Sequence, residues 1–119
     1  MRKFLKTESN DDLLAFMDAY YTDKDDFSVR LQRNVLLGVK LDTRRPPLLN
    51  SKDTENFNAP AYILAAGDDI FAPAERTLKY AEKVLKNLKE TKILENSKHV
   101  PSKNRFKEIE KTIADWLED

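Results

Sequence analysis

One short apolar run, Ala61-Tyr62-Ile63-Leu64-Ala65-Ala66, lies between Pro60 and Gly67 and constrains the fold more than any other stretch of the chain. Its length and its lack of polar alternation fit a strand buried on both faces, as in a parallel sheet. Downstream, Pro73 suits the first turn of a helix and Glu75 its positive end, with Leu78, Ala81, Val84, Leu85 and Leu88 as the buried face. Residues 91–95 (TKILE) read as a second strand, more polar and nearer a sheet edge. The loop NSKHVPSKN then leads into a final helix, with Phe106, Ile109, Ile113, Trp116 and Leu117 on one side. Strand, helix, strand, helix in this order implies a right-handed parallel crossover. A strand as apolar as 61–66 is out of place at an open edge, so further sheet is expected beside it.

Residues 1–58 read differently. Ser9 and Asp12 stand at capping-box spacing, with Asp in place of the usual Glu, and Leu13, Phe16, Met17 and Tyr20 follow on one face of a helix over 10–21. A second helix is expected over 25–39, with Phe27, Leu31, Val35 and, at its margins, Leu36 and Val39 as its stripe. Segment 42–58, with two prolines and many polar turn formers, reads as a loop or linker. The chain therefore divides into a helical region, 1–58, and an alternating α/β region, 59–119.

Composition removes several function classes. The chain has 119 residues and no cysteine, which excludes disulfides, thiolate metal sites and a cysteine nucleophile. Lys plus Arg equals Asp plus Glu at 21 each, and the longest basic cluster is the pair Arg44-Arg45, so neither nucleic acid nor an anionic membrane is expected as a partner. No stretch approaches the roughly 20 apolar residues of a membrane span, and no signal peptide is evident, so a cytoplasmic location is the default expectation. Gly38 and Gly67 are the only glycines, too far apart to build a phosphate loop or a Gly-x-Ser-x-Gly turn. One histidine with scattered carboxylates is a poor transition-metal set, so no metal and no cofactor is expected.

In open α/β sheets, catalytic groups gather beyond the carboxyl ends of the strands. The first strand ends in Gly67-Asp68-Asp69, and the second runs through Asn96-Ser97-Lys98 to His99, the single histidine. Taken alone, an Asp pair before a helix is a helix cap, and a lone loop histidine is a surface residue. Their joint placement, at neighbouring strand ends in the order Asp then His, is more specific.

These residues carry a family resemblance. Residues 59–119 resemble the C-terminal part of α/β-hydrolase-fold enzymes: AYILAAGDDIFAP matches the acid-bearing strand and turn, NSKHVPS the histidine loop, and RFKEIEKTIADWLED, with its late Trp116-Leu117, the closing helix. The family's acid lies four residues before a proline, which selects Asp69 by way of Pro73. Ala66 stands where the family has glycine and Gly67 follows it, so Asp68 is a rival for the acid position. The two helices of 1–58 are similar to the helical cap that these enzymes insert before the acid strand.

The resemblance implies a βαβα portion of a parallel α/β-hydrolase sheet preceded by two cap-like helices. It further implies hydrolysis of a small-molecule ester, amide or thioester by a Ser-His-Asp triad, with His99 as general base and Asp69 fixing its tautomer. The five serines, Ser9, Ser28, Ser51, Ser97 and Ser102, have no glycine neighbours to form the nucleophile turn. In the family's chain order the nucleophile and the oxyanion loop come before the cap, here upstream of Met1, and the 119 residues alone are expected to be catalytically silent. A reading from another class makes the chain a non-catalytic binding or dimerisation module. There the open side of strand 61–66 pairs with a complementing polypeptide or with a second copy.

Overall fold

A computed structural model of the chain describes residues 1–40, 44 and 47–118. Residues 41–43, 45 and 46, which include Arg45 of the basic pair and the start of the loop expected over 42–58, lie outside the described residues. The elements in order are α1 (Phe4–Thr7), α2 (Asn10–Tyr20), α3 (Asp26–Gly38), β1 (Ala61–Ala66), α4 (Ala74–Val84), β2 (Leu88–Leu94), a 3-10 turn (Lys103–Arg105) and α5 (Phe106–Glu118). The described residues thus form a mixed fold of five α-helices and a two-stranded parallel sheet.

Helix α2 starts where its sequence says it should. The Ser9 hydroxyl accepts from the Asp12 N–H at 3.2 Å. Asp12 is one methylene shorter than glutamate and completes the cap indirectly. Its carboxylate accepts the Thr7 hydroxyl at 2.6 Å, and the Thr7 oxygen accepts the Ser9 N–H at 3.3 Å. At α3 a reciprocal box forms between Asp25 and Ser28, with both bonds at 2.8 Å.

One hydrophobic cluster is in the helical region, where Phe4, Leu13, Met17 and Leu36 are buried together and Phe16, Tyr21 and Val29 pack against them; in the α/β region Ala65, Ala74, Ala81, Val84 and Leu94 are buried. Phe4 comes from α1, a single turn that no sequence signal announced. Helix α3 is rotated from the expected stripe. It buries Leu36 and turns Val29 inward, while Phe27, Leu31, Val35 and Val39 face solvent. The apolar spacing of i, i+4, i+8 is present, but nothing among the described residues covers it.

In the α/β region, β1 and β2 run parallel, from Ala61 opposite Leu88 to Ala66 opposite Leu94, with a register shift after Ala61. The expected boundary between helix and second strand was misplaced. Leu88 opens β2 and does not belong to the helix, because Leu85 already has extended backbone and a turn at Lys86-Asn87 intervenes. Asn87 fixes that turn: its side chain donates to the Asn58 carbonyl at 2.9 Å, and its own carbonyl accepts the Ala61 N–H at 2.9 Å. Segment 47–58 lies along α4, where the buried Thr54 hydroxyl donates to the Val84 carbonyl. Helix α5 meets the sheet through Trp116, stacked on Tyr62 with ring centroids 5.4 Å apart, and through Thr112, which accepts from Lys92 Nζ at 2.8 Å. Of the rest of its expected stripe, Ile109 is half-buried, and Phe106, Ile113 and Leu117 are exposed.

Strand β1 is half-buried along most of its length, not enclosed on both faces. The chain is also expanded. A compact domain of this length has a radius of gyration of about 13.5 Å and an accessible surface of about 6,600 Å². The values here are 16.9 Å and 9060 Å².

Candidate functional site

The loops after β1 and β2 emerge side by side, because one crossover separates two adjacent parallel strands. The Gly67 N–H donates to the Leu94 carbonyl at 3.0 Å, and the Asp68 N–H donates to the Ser97 carbonyl at 2.9 Å. A Cβ on Gly67 would sit 3.3 Å from a Glu95 side-chain oxygen and 3.4 Å from the Leu94 carbonyl oxygen, so glycine suits this approach. Past β2, Asn96 takes φ of 53°, a left-handed turn that sends the chain toward His99.

Asp69 and His99 meet there. Asp69 Oδ2 lies 2.8 Å from His99 Nδ1. The other carboxylate oxygen accepts the N–H groups of Phe71 at 2.7 Å and Ala72 at 3.1 Å, so the carboxylate is fixed at both ends. Of the two aspartates, Asp68 is exposed and Asp69 is 8% exposed. Burial pushes the Asp69 carboxyl upward. The hydrogen bonds from the Ala72 N–H, from His99 and from the Phe71 N–H outweigh it and hold the group below the ordinary carboxylate range.

The imidazole is held on its faces as well. Tyr20, from the end of α2, lies tilted against it with centroids 4.6 Å apart, and Phe71 meets it edge-on at 5.7 Å. Phe16 stacks on Tyr20 at 5.6 Å, which continues the aromatic wall along α2. The loop itself is bonded to the C-terminal end of α2. Val100 N–H donates to the Tyr20 carbonyl at 3.0 Å, Thr22 N–H donates to the Val100 carbonyl at 2.9 Å, and Lys98 N–H donates to the Thr22 hydroxyl at 2.9 Å. Sequence reasoning had placed Tyr20 only on an apolar helix face and had not identified Phe71, Thr22 or Val100 as part of the site. The aromatics next to the Asp pair and before the Thr22 turn were the available signal.

With Nδ1 engaged by the carboxylate, a neutral imidazole carries its proton on Nδ1 and presents Nε2 as a base. The His99 side chain is 40% exposed. Among the described residues, its hydrogen-bond partner is Asp69, and no serine hydroxyl reaches it. Beside the pair lies a cleft of about 360 Å³ along β1, bounded by Ile63 to Ala66, by Thr77 of α4 and by Ile109 of α5. A second cleft, about 390 Å³, lies between the start of α3 and the segment 100–106, and neither Asp69 nor His99 lines it. Among the described residues, no group of three or more His, Cys, Asp or Glu is placed to hold a metal ion, and no helix is long and apolar enough to cross a membrane.

Compared with known proteins, the chain matches no family model, no curated protein and no solved structure.

Proposed function

We propose that Asp69 and His99 are the acid and the base of a serine-hydrolase triad, carried on the C-terminal part of an α/β-hydrolase sheet. The observation that carries this reading is the 2.8 Å contact between Asp69 Oδ2 and His99 Nδ1 at the carboxyl ends of adjacent parallel strands. In the proposed reaction, His99 Nε2 takes the proton of a serine hydroxyl as the oxygen attacks an ester, amide or thioester carbonyl. It returns that proton to the leaving group, then repeats the cycle with water. Asp69 holds the Nδ1–H tautomer and stabilises the imidazolium. The backbone bonds from Phe71 and Ala72 keep the carboxylate ionised and oriented for this role. The serine and the oxyanion donors come from a separate segment, which in the family precedes the cap.

Two further features favour this reading over a surface histidine and a helix cap. A cap alone does not require the second carboxylate oxygen to face an imidazole. A surface histidine is not ordinarily flanked by two aromatic rings and bonded by its loop to a distant helix.

The test begins with the coding sequence immediately upstream of Met1, which is expected to encode a segment with Gly-x-Ser-x-Gly between a strand and a helix. Co-expression of that segment with this chain should give saturable turnover of p-nitrophenyl acetate that is lost in His99→Ala. An upstream sequence without such a segment, or a rate indifferent to His99→Ala, refutes the proposal.

A further inference from the structure

The two edges of the sheet are not alike. The outer edge belongs to β2, LKETKIL, whose exposed Lys89 and Glu90 are the kind of charges that blunt an edge against unwanted pairing. The other edge belongs to β1, AYILAA, which carries no charge, no proline and no bulge of its own. Backbone direction on β1 alternates strictly. The N–H groups of Ala61 and Gly67 point to β2, donating to Asn87 and Leu94, so those of Ile63 and Ala65 do too. Tyr62 and Leu64 therefore aim their N–H and C=O groups, and Ala66 its N–H, away from β2 at the free edge, while the Ala66 carbonyl already accepts the Asp69 N–H at 3.4 Å.

From this geometry we infer that β1 pairs with the β1 of a second copy of the chain, antiparallel about a two-fold axis at Leu64, to make a continuous four-stranded sheet. In that register Leu64 faces its own copy, and Tyr62 faces the partner's Ala66. These are hydrogen-bonded pairs, in which facing residues exchange both of their backbone bonds. The outward groups of Tyr62 and Leu64 and the Ala66 N–H thus find partners, and the Ala66 carbonyl, which already accepts the Asp69 N–H, has one lone pair left to share. The side chains are self-complementary as well. Large Tyr62 meets small Ala66, Ile63 meets Ala65, and Leu64 meets Leu64, so bulky residues never oppose each other except at the axis. Pro60, the next residue whose N–H would face the edge, has none to give, and pairing stops there. A foreign strand would meet the same backbone groups, but only a second copy brings this matched sequence with it.

This assembly does not depend on the proposed hydrolase role. It uses the edge on which more hydrolase sheet would be built, so a complementing segment and a second copy compete for it.

Light scattering on the full chain after size exclusion decides the stoichiometry. The expected mass is about 28 kDa, twice the 13.8 kDa of one chain. A monomer across the micromolar range overturns the inference. Single-cysteine variants locate the contact cleanly, since the chain has no cysteine of its own. Leu64→Cys should be joined into a covalent dimer by a short bismaleimide, and Leu31→Cys, on the exposed face of α3, should not. Crosslinking at Leu31→Cys with none at Leu64→Cys overturns the β1 pairing even if the chain is dimeric. Turnover restored by an upstream segment tests the triad alone, and either idea can fail without the other.

Discussion

Replacing Asp69 by asparagine separates what the carboxylate does for the fold from what it does for His99. Asparagine keeps one carbonyl oxygen, which goes on accepting the Phe71 and Ala72 N–H groups that Asp69 Oδ1 now holds at 2.7 and 3.1 Å. Its NH₂ replaces Oδ2 opposite His99 Nδ1, 2.8 Å away, and two donors cannot face each other there. The imidazole must then move its proton to Nε2 and accept at Nδ1. The cost is the loss of charge on three hydrogen bonds, not the loss of the bonds themselves, so we expect about 1 kcal/mol. Alanine removes all three. At about 1.5–3 kcal/mol for each bond to a charged group, partly recovered by water at the exposed Phe71 and Ala72, Asp69→Ala should cost about 2–4 kcal/mol. Trp116, the only tryptophan and stacked on Tyr62, reports unfolding in urea. With a slope of roughly 1–2 kcal/mol per molar urea, Asp69→Asn should lower the midpoint by roughly 0.5–1 M and Asp69→Ala by at least twice as much. Nitrogen chemical shifts of His99 should show Nδ1–H in the wild type and Nε2–H in Asp69→Asn. Equal destabilisation by the two variants, or an unchanged tautomer, would refute the argument.

Two other outcomes follow from the same structure. Asp69 titrates below its ordinary range when folded, so its contribution to stability is complete above the unfolded value of about 3.9 and is lost as pH falls through the lower folded value. Urea midpoints should therefore drop on acidification below about pH 4, and less steeply in Asp69→Asn; an equal slope would remove Asp69 from the explanation. In the helical core, Leu13→Ala should cost about 2–4 kcal/mol, because Leu13 is fully buried with Phe4, Met17 and Leu36. Leu117→Ala, at an 82% exposed site, should shift stability by less than about 0.5 kcal/mol, and comparable losses at the two sites would place the core elsewhere.

The elements that sequence revealed are those whose signals are local. Ser9 marked the start of α2, and the Pro60 and Gly67 brackets marked β1, because caps and breakers act within a turn of themselves. Facing is a different matter. The spacing of Phe27, Leu31 and Val35 revealed an apolar stripe, but which side of a helix is buried depends on what packs there. The described residues keep Leu36 inward, as expected at the margin of the stripe, and turn Val29 inward in place of Phe27, Leu31 and Val35. Leu88 continued the helical spacing of Ala81, Val84 and Leu85 and was drawn into the wrong element. The polar turn at Lys86-Asn87 and the charged KETK of β2 concealed a strand start whose reason lies in pairing with Ala61. The approach of Asp69 to His99 was legible because parallel strands deliver their loops to one end. The rings of Tyr20 and Phe71 around the imidazole were not, since Tyr20 arrives from a helix far away in sequence.

The His99 loop is tied on two sides, to the end of α2 through Tyr20, Thr22 and Val100 and to the turn after β1 through the bond from the Asp68 N–H to the Ser97 carbonyl. Asp69 is anchored in that same turn. The 2.8 Å contact between Asp69 and His99 therefore closes a ring of bonds that joins the helical region to the carboxyl end of the sheet. Such a ring leaves the imidazole little room to drift from the carboxylate unless one of its own bonds opens first.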